Sequence, residues 1–330
     1  MEQVDGEEAV NIAFLFPGQG SQEPEMLHHL VSHRAAEEVL QEMSQTLGFD
    51  VRASDSEDAL KSTISVQLAL LASGVATARA LIQCGLRPTT VAGLSVGAFA
   101  AAVVAEAISL ADATRLVRSR AEQMEMLYPK GHGLATLVGL SETQVRGLVK
   151  AVSSEAHPVF VGNVNAPRQI VIAGNIDGMK EVLSRALESG ARKAELLHVS
   201  VPSHCPLLQP IARSLHEQLR SMQIRDPQFV YVSNVKARAI RSAVGVATDL
   251  ADNIAHGVRW HEATNVAQEL GCQLFLEMPP GHVLSDLVRE NLPEVEAYPV
   301  VSGSIDRLLS RRAEMCGPQR IALIESTNQC

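Results

Sequence analysis

Residues 88–104 read Pro-Thr-Thr-Val-Ala-Gly-Leu-Ser-Val-Gly-Ala-Phe-Ala-Ala-Ala-Val-Val, and they place Ser95 between Gly93 and Gly97. The β-branched residues before the serine favour a strand, and the alanine- and valine-rich run after it favours a buried helix. A strand that turns at once into a helix bends sharply, and the glycines let the two elements pass closely. This is the pattern of a nucleophile elbow, which exposes the serine hydroxyl at the carboxyl end of the strand. A serine that merely caps a helix gives the same short pattern, so this stretch alone leaves both interpretations open.

Composition and charge exclude several classes of protein. The chain has 330 residues, enough for one large domain or one domain with an insertion, and its net charge of −9 disfavours a nucleic-acid partner. The apolar stretch 64–82 contains Gln67 and Arg79, so it predicts a buried helix rather than a membrane span. The five cysteines are scattered without metal-ligand or redox spacing. Together with an acidic start that is unlike a signal peptide, these features predict a cytoplasmic protein with no metal site.

Strand and helix patterns alternate along most of the chain and predict an α/β fold with a mainly parallel sheet covered on both faces. The predicted strands outside the middle of the chain lie at 11–16, 89–91, 229–233 and 273–277, and the predicted helices at about 25–47, 60–84, 98–110, 110–126, 206–222 and 261–270. We assign these segments to one large domain, residues 1–131 and 201–330. The tail after Arg312 is expected to be frayed.

Residues 132–200 show a different order of strand and helix patterns. Strand patterns at 134–138, 159–164, 169–173 and 194–199 alternate with helical patterns at 141–153 and 178–189. The resulting β-α-β-β-α-β order is that of a ferredoxin-like subdomain, here inserted into the larger domain.

A nucleophilic serine needs a base, and His204 is the candidate. It lies between Pro202 and Pro206, which restrict the backbone on both sides and could hold an imidazole in place. A surface loop histidine would show the same neighbours. Cys205 could suggest a cysteine nucleophile, but side chains of adjacent residues rarely face each other and Cys205 lacks an elbow, so it ranks below Ser95.

An oxyanion hole needs two N–H donors close to the nucleophile. Val96, at the start of the helix, would supply one. The Gly18-Gln19-Gly20 turn, which follows the first strand, could supply the other because its glycines let the backbone approach a ligand. An ordinary strand-ending turn explains those glycines equally well.

Six motifs together resemble the malonyl-CoA:acyl-carrier-protein transacylase family. They lie at 14–22 (Phe-Leu-Phe-Pro-Gly-Gln-Gly-Ser-Gln), 93–97 (Gly-Leu-Ser-Val-Gly), 116–124 (Leu-Val-Arg-Ser-Arg-Ala-Glu-Gln-Met), 163–174, 201–204 and 275–281. The likeness runs in order from about Ile12 to Asp306. It implies a hydrolase-like α/β domain with an inserted ferredoxin-like subdomain.

The resemblance also implies a role for each matching position. Ser95 would be the nucleophile and His204 the general base, and the amides of Gln19 and Val96 would form the oxyanion hole. Arg120 would bind the free carboxylate of a malonyl group, because a guanidinium can hold a carboxylate through two charge-assisted hydrogen bonds.

Other positions follow from the same likeness. Gln67 and Asn165 would be further pocket residues, and a main-chain carbonyl near Arg259 would orient the histidine. Arg118 should point elsewhere, since residues two apart do not share a helix face.

Leu94 and Ala98 depart from the family pattern, which has histidine and glutamate there. With the sequence at 128–133, they make the chain most similar to the transacylase (epsilon) subunit of bacterial malonate decarboxylase. That likeness implies malonyl-CoA as substrate, no bound cofactor, and a carrier protein that bears a CoA-like prosthetic thiol.

Three alternatives remain open: the same chemistry in fatty-acid or polyketide synthesis, a serine hydrolase or thioesterase, and a non-catalytic docking subunit. For an acidic carrier, the candidate docking surface is a set of basic residues in the insert: Arg146, Lys150, Lys180, Arg192 and Lys193.

Overall fold

The protein, described here from a computed structural model, consists of ten strands and eleven α-helices within the described residues 10–128, 130–197, 199 and 201–315. In chain order they are β1 (Asn11–Phe16), α1 (Arg34–Leu47), α2 (Thr63–Gln83), β2 (Thr90–Gly93), α3 (Gly97–Val104), α4 (Leu110–Leu127), β3 (His132–Val138), α5 (Glu142–Val152), β4 (Val159–Ala166), β5 (Gln169–Asn175), α6 (Ile176–Glu188), β6 (Lys193–Leu196), α7 (Gln209–Arg220), β7 (Val230–Val232), β8 (Ala239–Ile240), α8 (Ala243–Asp252), α9 (Trp260–Glu269), β9 (Cys272–Glu277), α10 (Val283–Asn291), β10 (Glu296–Pro299) and α11 (Ile305–Met315).

The larger sheet has the strand order β10-β9-β1-β2-β7-β8. All neighbours from β10 to β7 are parallel, and only β8 is antiparallel to its neighbour. This confirms the predicted α/β class with a mainly parallel sheet. Phe16 at the end of β1 pairs with Gly93 at the end of β2. The turn after β1 and the bend after β2 therefore lie side by side at the carboxyl edge of the sheet, where parallel folds place their sites.

Helix α2 is long and apolar enough to span a membrane by length and composition alone, but 83% of its most apolar window is buried inside the protein. Its Ala-, Leu- and Val-rich faces pack in the main hydrophobic core together with α1, α3 and α4. The helix is thus part of the core, as predicted from its polar residues.

The smaller sheet is antiparallel, in the order β4-β5-β3-β6. Helices α5 and α6 pack on it and share a separate hydrophobic cluster. The predicted β-α-β-β-α-β order is confirmed, while the division at 131/132 and 200/201 stays a prediction. One edge of this sheet is tied to the loop before α9, because Val258 donates to the Gly162 carbonyl and Val164 donates to the Val258 carbonyl, both at 2.8 Å.

Several element bounds differ from the sequence prediction. The first helix begins at Arg34 rather than near 25, because residues 24–28 form turns and Glu25 has a positive φ (61°) that a right-handed helix does not contain. Helix α3 ends at Val104 rather than 110, before a turn at Glu106 that also has a positive φ.

Helices α8, α10 and α11 were not predicted from the sequence. Strands β8 and β10 were also missed, because at two and four residues they carry little periodicity. Strand β6 ends at Leu196 instead of 199, and the predicted segment includes His198, which lies outside the described residues. Helix α11 continues past Arg312 to Met315, and the rest of the tail lies outside the described residues.

Candidate active site

The bend between β2 and α3 has the geometry of a nucleophile elbow. Ser95 has a φ of 56°, in the left-handed region that side chains other than glycine seldom adopt. A Cβ on Gly93 would lie 2.1 Å from the carbonyl carbon of Gly97, and a Cβ on Gly97 would lie 2.2 Å from the carbonyl oxygen of Phe16. Both glycines are therefore required by the close approach of strand, bend and helix.

His204 is in hydrogen-bond contact with this serine. Its Nε2 lies 2.8 Å from Ser95 Oγ, and its Nδ1 lies 2.7 Å from the main-chain oxygen of Asn253. A carbonyl oxygen only accepts, so Nδ1 carries the proton and Nε2 is free to accept the serine hydroxyl. The loop holds the ring through a positive φ of 63° at His204, between the two prolines.

The carbonyl that orients His204 differs from the one expected. It was expected near Arg259, but the Arg259 carbonyl accepts from the Ala263 N–H at 2.9 Å. Asn253 is the C-cap of α8, and the last carbonyls of a helix have no partner inside the helix. The expectation came from the family resemblance and was wrong, because the end of α8 supplies the carbonyl.

Burial and, in second place, the positive charge of Arg120 together lower the pKa of His204 from 6.5 to about 4. The imidazole is consequently neutral at neutral pH, which is the state that can accept a proton.

Arg120 lies on α4 and is only 1% exposed. Its Nη1 donates to Gln67 Oε1 at 2.5 Å, and its Nη2 donates to Ser95 Oγ at 3.2 Å. Burial lowers the pKa of Arg120 to about 9, so the guanidinium stays charged at neutral pH. In the part of the chain that the structure describes, Arg120 forms no ion pair with a carboxylate, unlike Arg118, which pairs with Glu122 on the outer face of the same helix.

A small cavity of about 40 Å³ collects most of the predicted site residues. Its lining is Gly18, Gln19, Leu94, Ser95, Val96, Arg120, Met124, Leu134, Asn163, Val199, Ser203 and His204. Among the described residues, the main-chain N–H groups of Gln19 and Val96 donate to no protein acceptor. Two unpaired donors thus flank the serine, and the structure brings together all the predicted residues except the two pocket residues treated next.

Gln67 lies behind this cavity, buried on α2, and holds Arg120. Asn165 is not among the lining residues; Asn163, two positions earlier on β4, lies there instead. Residues two apart in a regular strand share a face, but β4 has irregular register on both sides of Val164, which breaks the alternation.

Two asparagines that sequence reasoning missed hold the elbow itself. Asn234 Oδ1 accepts from Ser95 N at 3.0 Å and its Nδ2 donates to the Gly93 carbonyl at 2.6 Å, while Asn253 Nδ2 donates to the Ser95 carbonyl at 2.9 Å. The available signal for Asn234 was its position directly after the predicted strand 229–233, which corresponds to β7, the strand that pairs with β2.

Cys205 is unsuited to nucleophilic chemistry. Burial raises the pKa of its thiol to about 12, and Sγ donates to the Pro202 carbonyl at 3.3 Å. It stays a thiol at neutral pH, in agreement with its lower rank beside Ser95.

An open cleft of about 600 Å³ lies next to the small cavity, and His204 lines both. Arg146, Lys150 and Arg259 stand on its walls. Arg146 pairs with Glu142 and Arg259 with Glu262, whereas Lys150 forms no ion pair with any residue that the structure describes.

Comparison with known proteins identifies the family. The acyl transferase domain matches residues 13–307. The malonyl CoA-acyl carrier protein transacylase of Bacillus subtilis (strain 168) is 35% identical over 285 residues, covering 84% of this chain and 90% of that protein. The chain belongs to the malonyl-CoA:acyl-carrier-protein transacylase family.

Solved structures agree with this assignment. The malonyl CoA-acyl carrier protein transacylase from Coxiella burnetii superposes with a TM-score of 0.87 at 30% identity, covering 92% of this chain and 98% of its own. The malonyl-transacylase of a complex with a type II PKS acyl-carrier protein (PlMCAT:AntF, holo) gives a TM-score of 0.87 at 33% identity, covering 91% and 99%. The family resemblance seen in the sequence is confirmed, and the hydrolase-like fold with it.

Proposed function

We propose that this chain transfers a malonyl group from malonyl-CoA to an acyl carrier protein through a malonyl ester on Ser95. One observation carries the proposal: the buried, charged Arg120 has no carboxylate partner among the described residues and lies 3.2 Å from the serine hydroxyl. A buried cation without a counterion is costly, and the free carboxylate of a malonyl group supplies the missing charge.

The acylation step uses groups already in contact. His204 Nε2 takes the proton of Ser95 Oγ as that oxygen attacks the thioester carbonyl, and the N–H groups of Gln19 and Val96 stabilise the resulting oxyanion. The C–S bond then breaks, and the CoA sulfur leaves with the proton that His204 holds. In the second half-reaction the carrier's thiol loses its proton to His204 and attacks the ester carbonyl, and Ser95 Oγ leaves with that proton.

Arg120 and Gln67 form the selective part of the site. Gln67 fixes one edge of the guanidinium and leaves the other directed at the serine. A dicarboxylic acyl group that is bound there keeps the cation paired, whereas an acetyl group leaves it unpaired. This difference argues against a general serine hydrolase.

We infer the type of carrier protein from the relatives of this chain. Those compared above are acyl-carrier-protein transacylases, and one is solved with a type II PKS acyl-carrier protein. They favour a carrier of fatty-acid or polyketide type over the malonate decarboxylase subunit that Leu94 and Ala98 had indicated. On this proposal the reacting thiol belongs to the carrier's prosthetic group, and the chain acts in the cytoplasm.

Intact-mass analysis tests the mechanism. Mixing the protein with malonyl-CoA without a carrier should add one malonyl group, and Ser95→Ala should abolish the addition. Ser119→Ala, a serine next to Arg120 whose Oγ accepts hydrogen bonds from Gln123 and Gln218, is the matched control and should label fully. An unlabelled wild-type protein that still transfers malonyl would refute the serine mechanism.

The same preparation separates the remaining alternatives. A hydrolase would release the label to water as malonate within the assay, and a docking subunit would never acquire it. Adding a fatty-acid-type carrier or a malonate decarboxylase carrier to the labelled protein then decides the partner, because only the true acceptor should remove the label rapidly.

A further inference from the structure

Asp249, on α8, is a buried carboxylate that the mechanism above does not use. It is 4% exposed, and in the described part of the chain no lysine, arginine or histidine pairs with it. Its oxygens accept from Tyr231 OH at 2.8 Å, from Ser233 Oγ, and from the main-chain N–H groups of Asn234 and Val235, both at 3.2 Å. Burial raises its pKa, and the hydrogen bonds from these donors act in the opposite direction. An ionised carboxylate only accepts hydrogen bonds, so it is suited to the two hydroxyls and two N–H groups that surround Asp249.

These contacts fix the chain just after β7. Ser233 Oγ also accepts from the Lys236 N–H at 2.9 Å, so the whole turn from 233 to 236 is tied to one carboxylate on α8. The side chain of Asn234 leaves this turn with a defined position and direction.

Asn234 then clamps the backbone on both sides of Leu94. It donates to the carbonyl of Gly93 and accepts from the N–H of Ser95, so one side-chain amide satisfies a donor and an acceptor of the elbow. Ser95 has the positive φ that this bend requires, and such a conformation persists only where the surroundings hold it.

The geometry points to Asn234 as a positioning residue for the nucleophile, with Asp249 as its anchor. Asn234 does not touch the substrate; it sets where Ser95 Oγ stands relative to His204 and to the oxyanion donors. This inference rests on Ser95 being the nucleophile, as proposed above. Because a misplacement of about 1 Å can slow a reaction about 100-fold, loss of the clamp should appear in the acylation rate.

The test measures Ser95 acylation in two ways: single-turnover reaction with malonyl-CoA, and inactivation by a fluorophosphonate that reacts with activated serines. Asn234→Ala should slow both reactions roughly 10- to 100-fold. The malonyl-CoA concentration at half-maximal rate should stay within about twofold, because Arg120 and Gln67 keep their contacts.

Tyr231→Phe is the matched control. It removes one donor from Asp249 but leaves both Asn234 contacts with the elbow, so it should lower thermal stability while acylation stays within about twofold of wild type. Asn234→Asp is the second variant, for the case that Asn234→Ala does not fold. It keeps an acceptor for the Ser95 N–H and loses the donor to Gly93, and it should slow acylation roughly threefold or more.

Wild-type acylation rates in the folded Asn234 variants would overturn the inference, as would equal slowing by Tyr231→Phe. The fluorophosphonate reaction needs an activated Ser95 but no malonyl group. If Ser95→Ala retained full malonyl transfer, the proposed function would fail, whereas normal rates in the Asn234 variants would remove only the positioning role.

Discussion

The two cavities that share His204 differ in whether their arginines are paired with carboxylates. In the small one, Arg120 is fully buried and has no carboxylate partner in the described structure, so its charge is left for a ligand. In the open cleft, Arg146 and Arg259 are partly exposed and already paired with Glu142 and Glu262. On our proposal, the lack of a counterion, rather than the presence of an arginine, distinguishes the binding residue.

Among the substitutions that test this difference, removal of Arg120 should have the largest effect on activity. Leaving a buried partner charge unpaired costs about 2–5 kcal/mol, which is on the order of 30- to several-thousand-fold in kcat/KM for malonyl-CoA. Acetyl-CoA has no carboxylate, so Arg120→Ala should leave its reaction nearly unchanged or raise it. Arg120→Lys should restore only part of the malonyl rate, because a point charge does not replace the bidentate guanidinium.

Steady-state assays with both thioesters and a thermal melt check this prediction, with Arg118→Ala, on the outer face of α4, as the matched control. If the malonyl and acetyl reactions declined together with stability, Arg120 would be a structural brace, and the contrast between the two cavities would disappear.

The buried cation of the small cavity, Arg120, contributes to the lowered pKa of His204. A histidine whose pKa is lowered from 6.5 to about 4 stays neutral above that value, so kcat/KM should stay level from neutral pH to about pH 5 and fall towards pH 4. Burial is the main cause and Arg120 the second, so Arg120→Ala should move this acid limb to higher pH. The pH profiles of both proteins measure the shift, and a wild-type limb near 6.5 would contradict it.

The same shift has a consequence for stability, whose sign follows from linkage. The unfolded chain binds a proton to this histidine below about 6.5, while the folded chain resists protonation until about 4. The contribution of His204 to the free energy of unfolding is therefore full above 6.5 and is lost as the pH falls towards 4. Chemical denaturation of wild type and His204→Gln across this window should show a smaller pH dependence in the variant.

The cleft should give the smallest effects. Lys150 lines it and forms no ion pair with a described residue, so reversing its charge should raise the KM for an acidic carrier roughly two- to fivefold and change the KM for malonyl-CoA less. Lys180→Glu is the control: the sequence analysis included Lys180 in the candidate docking surface, but Lys180 pairs with Asp177 on α6 and does not line the cleft. Equal effects on both substrates would exclude the cleft as the docking surface for the carrier.

Much of the fold was predictable because its signals are local. The buried run at 11–16, the glycines around Ser95 and the alternating patterns of the insert each describe the conformation of a few consecutive residues. Short strands such as β8 and β10 lacked that signal, and α8, whose end supplies the carbonyl that orients His204, was not predicted.

From neighbouring residue types alone, the sequence predicted the strand-turn-helix around Ser95, the loop of His204 between two prolines and the helix of Arg120, because backbone turns and helix faces are local. Their roles came from the family resemblance. Only the tertiary structure decided that Asn253 orients His204, that Asn163 lines the cavity in place of Asn165, and that Asn234 clamps the elbow. Ser95 and Asn234 are 139 residues apart, and their contact depends on β7 pairing with β2. A hydrogen bond across such a separation is set by strand order and by the burial of both partners, which no short stretch of sequence encodes.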